Sequence, residues 1–498
     1  MSVLRTKSIE QSMADTVEPE HELKKNLGAM DLTVFGVGVI IGTGIFVLTG
    51  LAARDSAGPG VALSFVVAGI VCGLAAMCYA ELSSTVPVAG SAYTFSYATL
   101  GELVAWIIGW DLFLEFALAA AVVAVGWSQY LTVVLETAGV TLPSSIAGAE
   151  ATVNIPAMLI VLALTVVTVL GIKLSSRVTA VIVVIKVAIV LLVILVGAFF
   201  IKAANYSPYI PPNEPTPAEG GLKAPLIQTI FGLEASAFGV AGIFTAAAVV
   251  FFAFIGFDIV ATAAEETKNP QRDMPRGILG SLAICTVLYV LVSTVVTGMQ
   301  PYSELDPAAP LAAAFTSVDL DFVANVIAIG ALAGLTSVML ILLIGQSRVL
   351  FAMSRDHLLP PALAKVHPRF GTPYRISIGV GVVVTLMAGF IPLEALAELV
   401  NIGTLFAFVV VSIGVIILRR TRPDLRRSFR CPAVPLIPIL SVLACLYLML
   451  NLPGDTWLRF LAWLAIGFVI YFGYSRSRSR VPDQIEREGF VPKKQRGA

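Results

Sequence analysis

Apolar residues are grouped along this chain in long blocks that are separated by shorter polar segments. Each block holds about 20 residues, the length at which an α-helix crosses about 30 Å of hydrocarbon. The pattern predicts twelve transmembrane helices, at residues 30–51, 61–82, 102–126, 154–172, 178–201, 241–264, 277–298, 325–350, 376–392, 396–418, 434–452 and 457–474. The third block has no turn signal before Gly139, so its helix is expected to continue to about Leu135.

Composition supports the same conclusion. Hydrophobic residues make up 57% of the 498 residues and charged residues 13%. The mean hydropathy of +0.91 lies far above that of a soluble globular domain. The chain is therefore predicted to be an all-α polytopic membrane protein.

Basic residues predict the orientation of the chain. Of the 32 Lys and Arg residues, 27 lie in segments on one side of the membrane or at the ends of helices that face it. Four lie on the other side: Arg54, Lys202, Lys223 and Arg459. Because basic segments stay in the cytoplasm, both termini are expected there, with the protein in the cytoplasmic (plasma) membrane.

Several classes of function are disfavoured by the residues that are present. The five cysteines form no C-x-x-C pair, and the three histidines all lie in predicted inner segments. The blocks contain no nucleophile and base set, and no phosphate-binding loop is present. We expect no enzymatic activity, metal, cofactor or nucleic-acid partner, while the basic C-terminal tail is expected to contact membrane lipid.

The order of the blocks predicts two related halves. A cytoplasmic tail (1–26) precedes a first group of five helices (27–204), and a Pro-rich outer segment (205–239) leads to a second group of five (240–420). Two further helices (421–474) and a basic cytoplasmic tail (475–498) follow. Because five is odd, the halves cross the membrane in opposite senses, as in an inverted repeat.

Two blocks contain interruptions at corresponding places in the two halves. The first block carries Gly42-Thr43-Gly44 near its middle, and the sixth carries Gly256 two residues before Asp258. A helix in hydrocarbon can unwind only where protein, water or a ligand satisfies the freed backbone groups. Such paired breaks are typical of a transporter binding site, the alternative being glycines that serve close helix packing.

Lys186 lies within the fifth block, where a central lysine costs about 2.5–3.5 kcal/mol. One interpretation is snorkelling towards the inner surface. The other is a buried ammonium that pairs with backbone carbonyls freed by the first break. A lysine so placed can bind and release a proton in each transport cycle.

Other polar residues lie inside blocks. Asp111 and Glu115 share a helix face, and Glu115 is either a second titrating group or a structural hydrogen-bonding group. Asp258 is expected to stabilise the second break. Thr336 and Ser337 offer hydroxyls in the eighth block, or bond to their own preceding turn.

Several motifs in order resemble those of the amino acid, polyamine and organocation transporter superfamily. They are Gly36-x-Gly-x-Ile-Ile-Gly-Thr-Gly-Ile-Phe46, Glu81-Leu-x-x-x-x-Pro87-x-x-Gly90-x-x-Tyr93, Phe252-Ala-Phe-Ile-Gly-Phe-Asp258 running to Pro270, and Gly345-Gln-x-Arg348 running to Asp356. The resemblance covers about residues 25–475. Together the motifs are similar to those of the cationic amino acid transporter branch of this superfamily, in its twelve-helix bacterial form.

This resemblance implies a leucine-transporter-like bundle of five plus five inverted helices around a central amino-acid site. The amides of Gly42, Thr43 and Gly44 would hold the substrate carboxylate at a positive half-helix end. The carbonyls of Ile40, Phe252, Ala253 and Ile255 would accept from the substrate ammonium. Phe252 would also gate the site, which is predicted to include Ile41, Gly256 and Ile341.

The resemblance also favours proton coupling over sodium coupling. Family members with a lysine in the fifth helix place its ammonium near the hydroxyls of the eighth, here Thr336 and Ser337. The predicted function is a secondary active, proton-coupled amino-acid symporter. An amino acid or polyamine exchanger is the alternative, and a non-transporting sensor is less favoured. Neutral amino acids are the expected substrates, with cationic ones second, and an accessory subunit and the oligomeric state are left open.

Overall fold

The computed structural model describes residues 27–479, apart from 87, 89, 90, 149, 150, 172–175, 217–220, 234 and 235. The predicted N-terminal tail, most of the predicted C-terminal tail and the motif residues Pro87 and Gly90 therefore lie outside the described residues. Within them the chain is mostly helical, with one short two-stranded sheet in which β1 (Glu214–Pro215) pairs antiparallel with β2 (Ser236–Ala237).

Helices of the first half run through the predicted blocks. They are α1 (Ala29–Ile40), α2 (Thr49–Ala52), α3 (Val61–Thr85), α4 (Ser91–Thr99), α5 (Glu102–Thr137), α6 (Ile155–Val169) and α7 (Ser176–Gly197). The π-helical turns Gly44–Leu48 and Ala53–Ala57 and the 3₁₀ turn Gly58–Gly60 join α1, α2 and α3. The predicted extension of the third block is confirmed, because α5 continues past Leu135.

Helices of the second half follow a 3₁₀ turn and the short α8 (Leu226–Phe231). They are α9 (Gly239–Val250), α10 (Phe257–Val260), α11 (Pro270–Met299), α12 (Pro310–Thr316), α13 (Asp321–Arg355), α14 (Tyr374–Phe390), α15 (Leu393–Thr421), α16 (Leu436–Leu450), α17 (Gly454–Ile470) and α18 (Arg476–Arg478). The 3₁₀ turns Phe251–Phe254 and Ala261–Glu266 flank α10.

Length and hydropathy identify membrane-spanning helices among the described residues. Eight apolar helices or joined helices are long enough to cross, and four apolar helices of 10–17 residues are shorter. This is a polytopic helical membrane protein, and the count of twelve spans stays a prediction. The sequence did not predict α4 and α12, which lie between blocks and are too short to span.

Packing places helices of the two halves against each other. The long helix α5 packs against α13 and α15, while α11 packs against α1 and α3. Further pairs are α6 with α14 and α7 with α13. The helices α1 and α5 are thereby surrounded by protein, which is the setting in which a broken helix can satisfy its backbone.

Motif residues meet at the predicted inner ends of these helices. The Tyr93 hydroxyl donates to Asp356 Oδ2 at 2.7 Å, and Arg348 pairs with Glu266 at 3.2 Å. The first contact joins motif residues of the two halves and the second joins two motif residues of the second half, so the segments between blocks are held to one another as well as to their helices.

Glu81 is the most heavily bonded of these motif residues. Its carboxylate, 1% exposed, accepts from Arg419 Nε at 2.9 Å and Nη2 at 2.6 Å, and from the Cys431 amide at 2.7 Å. Arg427 Nε lies 3.4 Å away. The end of α3 is thus tied to the end of α15 and the segment after it.

Replacing Glu81 with alanine is expected to destabilise the protein. Removing one partner of a buried ion pair leaves the other charge uncompensated and costs about 3–5 kcal/mol. Thermal unfolding in detergent should show a clearly lower midpoint for Glu81→Ala. Asp424→Ala, which removes the partner of Arg422 in an exposed pair, is the control and should change little. Equal midpoints for the two variants would contradict a stabilising role for Glu81.

Candidate functional site

The first apolar helix is broken where the sequence predicts, although the helix ends slightly earlier. α1 ends at Ile40, Ile41 is extended (φ −70°, ψ 97°), and helix resumes with the π turn at Gly44. Among the described residues, the amides of Gly42 and Thr43 donate to no protein acceptor. Gly44 opens a helical turn, whose first N–H groups have no partner within it and carry partial positive charge.

A second break interrupts the chain between α9 and α10. Ile255 is extended and Gly256 has φ +124°, a backbone conformation that favours glycine. The buried Asp258 accepts from the Gly256 amide with Oδ1 at 3.2 Å. This carboxylate therefore holds the turn in place, the position expected for it from the sequence.

The two breaks are in direct contact. A Cβ at Gly44 would overlap the Cα of Ala253, and one at Gly256 would lie 2.7 Å from Val39 Cγ1. Glycine is therefore required at both positions. At Gly44 a side chain would overlap the backbone of Ala253, and at Gly256 it would meet the Val39 side chain in a backbone conformation that favours glycine.

A small cavity of about 20 Å³ lies between the breaks. Its volume is about that of one water, so the walls are nearly closed. The lining consists of backbone and mostly apolar side chains of Val39, Ile40, Gly42, Thr43, Gly44, Ala119, Val123, Phe252, Ile255, Val338 and Leu342. The Thr43 hydroxyl is buried without a partner among the described residues.

Lys186 reaches the end of α1 from α7. The residue is fully buried, and its Nζ donates to the Gly38 carbonyl at 2.6 Å and the Ile41 carbonyl at 3.2 Å. Its stem lies against α13, where a Cβ at Gly334 would be 3.0 Å from Lys186 Cε. The expected contact with carbonyls at the first break is present, and snorkelling is excluded by the burial.

The sequence that forms these two facing breaks matches the model of a known protein family over residues 27–493. The chain belongs to the amino acid permease family. Family membership supports amino-acid transport as the class of function.

Three relatives match this permease over nearly their whole length. It is 49% identical to the branched-chain amino acid permease BcaP of Bacillus subtilis, over 96% of this chain and 99% of the relative. It is 47% identical to the methylthioribose transporter of the same species, with the same coverage. Identity to the vacuolar cationic amino acid transporter 4 of Arabidopsis thaliana is 31%, over 97% of each chain.

The predicted backbone ligands of this permease lie at the breaks, with one difference in the environment of Ile40. Its carbonyl accepts from the Tyr289 hydroxyl at 2.7 Å. A carbonyl has two lone pairs, so a second donor can still bind there. Ile41 and Ala253 do not line the cavity, since the Ile41 carbonyl accepts from Lys186 and Ala253 packs on Gly44.

The eighth block contributes two wall residues to the cavity, and its two hydroxyls take the second of the alternatives that the sequence left open. Val338 and Leu342 line the cavity and Ile341 does not, because each residue is turned by about 100° from the next on a helix. Thr336 donates to the Leu332 carbonyl at 2.7 Å and Ser337 to that of Gly334 at 2.8 Å. Both hydroxyls therefore bond to their own helix, although Ser337 lies one turn from the stem of Lys186.

Asp111 and Glu115 lie on α5, respectively two turns and one turn before Ala119 of the cavity wall. Both are buried, and their carboxylate oxygens have no hydrogen-bond partner among the described residues. The predicted choice for Glu115 between proton binding and structural bonding stays open.

Sequence reasoning missed the wall residues of α5, Ala119 and Val123, and the tyrosines that bond the broken helix. Tyr289 bonds to Ile40, and Tyr130 donates to the Phe46 carbonyl at 2.7 Å. A tyrosine hydroxyl deep inside an apolar block was the available signal, because it needs an acceptor that its own helix does not provide.

Proposed function

We propose that this permease is a proton-coupled symporter of neutral amino acids that works by alternating access. The observation that carries the proposal is the buried Lys186 ammonium on the carbonyls of Gly38 and Ile41. Orphan carbonyls at the end of α1 carry partial negative charge and attract a cation. Protonation of Lys186 therefore draws the end of α1 towards α7, and loss of the proton releases it.

The two breaks supply hydrogen-bonding groups for the carboxylate and the ammonium that all amino acids share. The amides of Gly42, Thr43 and Gly44 suit the substrate carboxylate, and the carbonyls of the second break suit its ammonium. Because protonated Lys186 fixes the residue that directly precedes these amides, protonation and substrate binding favour each other. Binding is thus expected to strengthen as the pH falls.

Apolar walls support a neutral substrate. The cavity side chains from α5 and α13 carry no charge, and a cationic side chain would need an acceptor there. The name of the Bacillus subtilis branched-chain permease agrees with this choice. Phe252, which lines the cavity, is proposed to close over the substrate as a gate.

Enlarging Ala119 is expected to change selectivity. Ala119→Leu fills part of the cavity wall, so L-leucine should lose affinity by about 5- to 150-fold through overpacking of about 1–3 kcal/mol. L-alanine, which occupies less of the wall, is the internal control and should bind almost as before. Competition binding measures both, and an unchanged ratio of the two affinities would exclude Ala119 from the side-chain pocket.

The twelve-helix, five-plus-five inverted arrangement is part of the proposal. Helices that stand five spans apart in the predicted order pack together, namely α3 with α11, α5 with α13, and α6 with α14. A two-fold axis in the membrane plane brings equivalent helices together in this way. The cytoplasmic membrane, with both termini inside, remains the proposed location.

A ligand panel tests the substrate class. Thermal stabilisation of the purified protein is measured with each of the twenty amino acids, and with methylthioribose because one relative carries that name. Neutral aliphatic amino acids should stabilise the protein, more so at lower pH. Stabilisation by methylthioribose alone would overturn the proposal, and by basic amino acids alone would move it to the cationic class.

A further inference from the structure

A second and larger cavity, of about 490 Å³, lies towards the predicted outer face. Its volume falls within the range of about 300–1,000 Å³ that is typical of small-molecule sites. It shares no lining residue with the cavity between the breaks. Leu48 and Val249 line it, about one helical turn from Gly44 and Phe252, so it lies next to the predicted substrate site.

Asn401 contributes an unsatisfied acceptor to this cavity. The residue is 0% exposed, and its Nδ2 donates to the carbonyls of Ala248 at 2.8 Å and Val249 at 3.1 Å. These two bonds fix the orientation of the amide. Its Oδ1 is buried without a partner among the described residues, which points to a donor supplied by a ligand.

Glu398 lines the same cavity three residues earlier on α15, on the same helix face as Asn401. Its Oε2 accepts from the Thr456 hydroxyl at 2.6 Å, which holds the side chain in place. A carboxylate and an amide oxygen side by side form an acceptor pair suited to an ammonium group.

The cavity also offers positive charge for a carboxylate. Arg459 lines it but pairs with Asp455. Lys223, on the predicted outer segment, lines it as well and belongs to no ion pair among the described residues. Acceptors on α15 and a cation on another segment match the two charged ends of an amino acid.

We propose that this cavity is a second amino-acid site, in which Asn401 and Glu398 bind the α-ammonium group and Lys223 faces the carboxylate. The proposal rests on the proposed function, since it assumes that amino acids are the substrates. Because Asn401 also holds the carbonyls at the end of α9, a bound ammonium contacts the residue that anchors the second break.

Thiol labelling tests this site in the full-length protein. The five native cysteines are buried, and Ala395, which is half-buried in the cavity lining, is replaced by cysteine. L-leucine should slow the reaction of Ala395→Cys with a methanethiosulfonate reagent. N-acetyl-L-leucine, which lacks the ammonium, and sodium chloride at equal concentration should give no protection.

A second substitution separates the two sites. Glu398→Gln added to Ala395→Cys should raise the half-protecting concentration of L-leucine by about tenfold or more, because a charge-assisted bond is lost. The concentration of labelled L-leucine that half-saturates the tight site, which is the proposed site between the two breaks, should stay unchanged. Thr245→Val is the matched control, since its hydroxyl lines the cavity but already donates to Ala241.

The outcomes distinguish this proposal from the proposed function. Three results would overturn the second site alone, provided that L-leucine still binds tightly. The first is protection that Glu398→Gln does not weaken, and the second is protection that shifts in parallel with tight binding. The third is protection that N-acetyl-L-leucine reproduces. Tight binding without any protection would also overturn it alone. Absence of both binding and protection would overturn both proposals.

Discussion

Replacing Lys186 with alanine is expected to abolish the response of uptake to a proton gradient while the protein stays folded. The ammonium makes two bonds to carbonyls at the end of α1, and alanine can make neither. The end of α1 then no longer responds to protonation at this position. Uptake of labelled L-leucine into proteoliposomes, with and without an imposed pH gradient, measures the effect.

Lys202→Ala is the matched control for this prediction. It removes a lysine that is exposed and lies outside the predicted spans, so the stimulation by a proton gradient should be retained. Stimulation that survives in Lys186→Ala, in protein that elutes as a single species, would show that the coupling proton binds elsewhere. Glu115 would then be the next residue to test, because it is buried and has unpartnered oxygens.

Gly44→Leu is expected to abolish substrate binding. A Cβ at this position already overlaps the backbone of Ala253, so a larger side chain forces the two breaks apart. The loss should exceed what equilibrium binding can detect, because the amides and carbonyls that recognise the substrate no longer face each other. Gly44→Ala tests the same contact with the smallest side chain and should also lose affinity.

Gly73→Leu provides the matched control for the break. This glycine lies in α3, and a Cβ there would meet no atom within 4 Å. Binding to Gly73→Leu should equal that of the unmodified protein. Normal affinity in a folded Gly44→Leu variant would remove the first break from the site.

The features that could be predicted from the sequence are those that are energetically unfavourable in a lipid bilayer. Gly42-Thr43-Gly44, Gly256 and Lys186 each carry a cost in hydrocarbon that a ligand or a partner must offset. Each therefore stands out in an apolar block, and the structure places all of them close to the first break or the second. The contact of Lys186 with carbonyls of α1 followed from the same reasoning.

The other residues of the candidate sites have no unusual residue type at an unusual position in the sequence. Ala119, Val123, Val338 and Leu342 are apolar residues in apolar blocks, where positions facing lipid and positions facing protein look alike. Helical periodicity therefore cannot tell which residues of α5 and α13 face the cavity, and the sequence pointed to Ile341 where Val338 and Leu342 line it. The role of Asn401 depends on its hydrogen bonds to carbonyls of α9, which are distant in sequence.

Uptake by the unmodified protein tests the central claim most directly. Empty proteoliposomes receive labelled L-leucine outside, together with an inward proton gradient that a protonophore can dissipate. The account predicts accumulation above the external concentration, which collapses with the protonophore and needs no internal amino acid. Uptake that requires internal amino acid and ignores the gradient would contradict it and identify an exchanger.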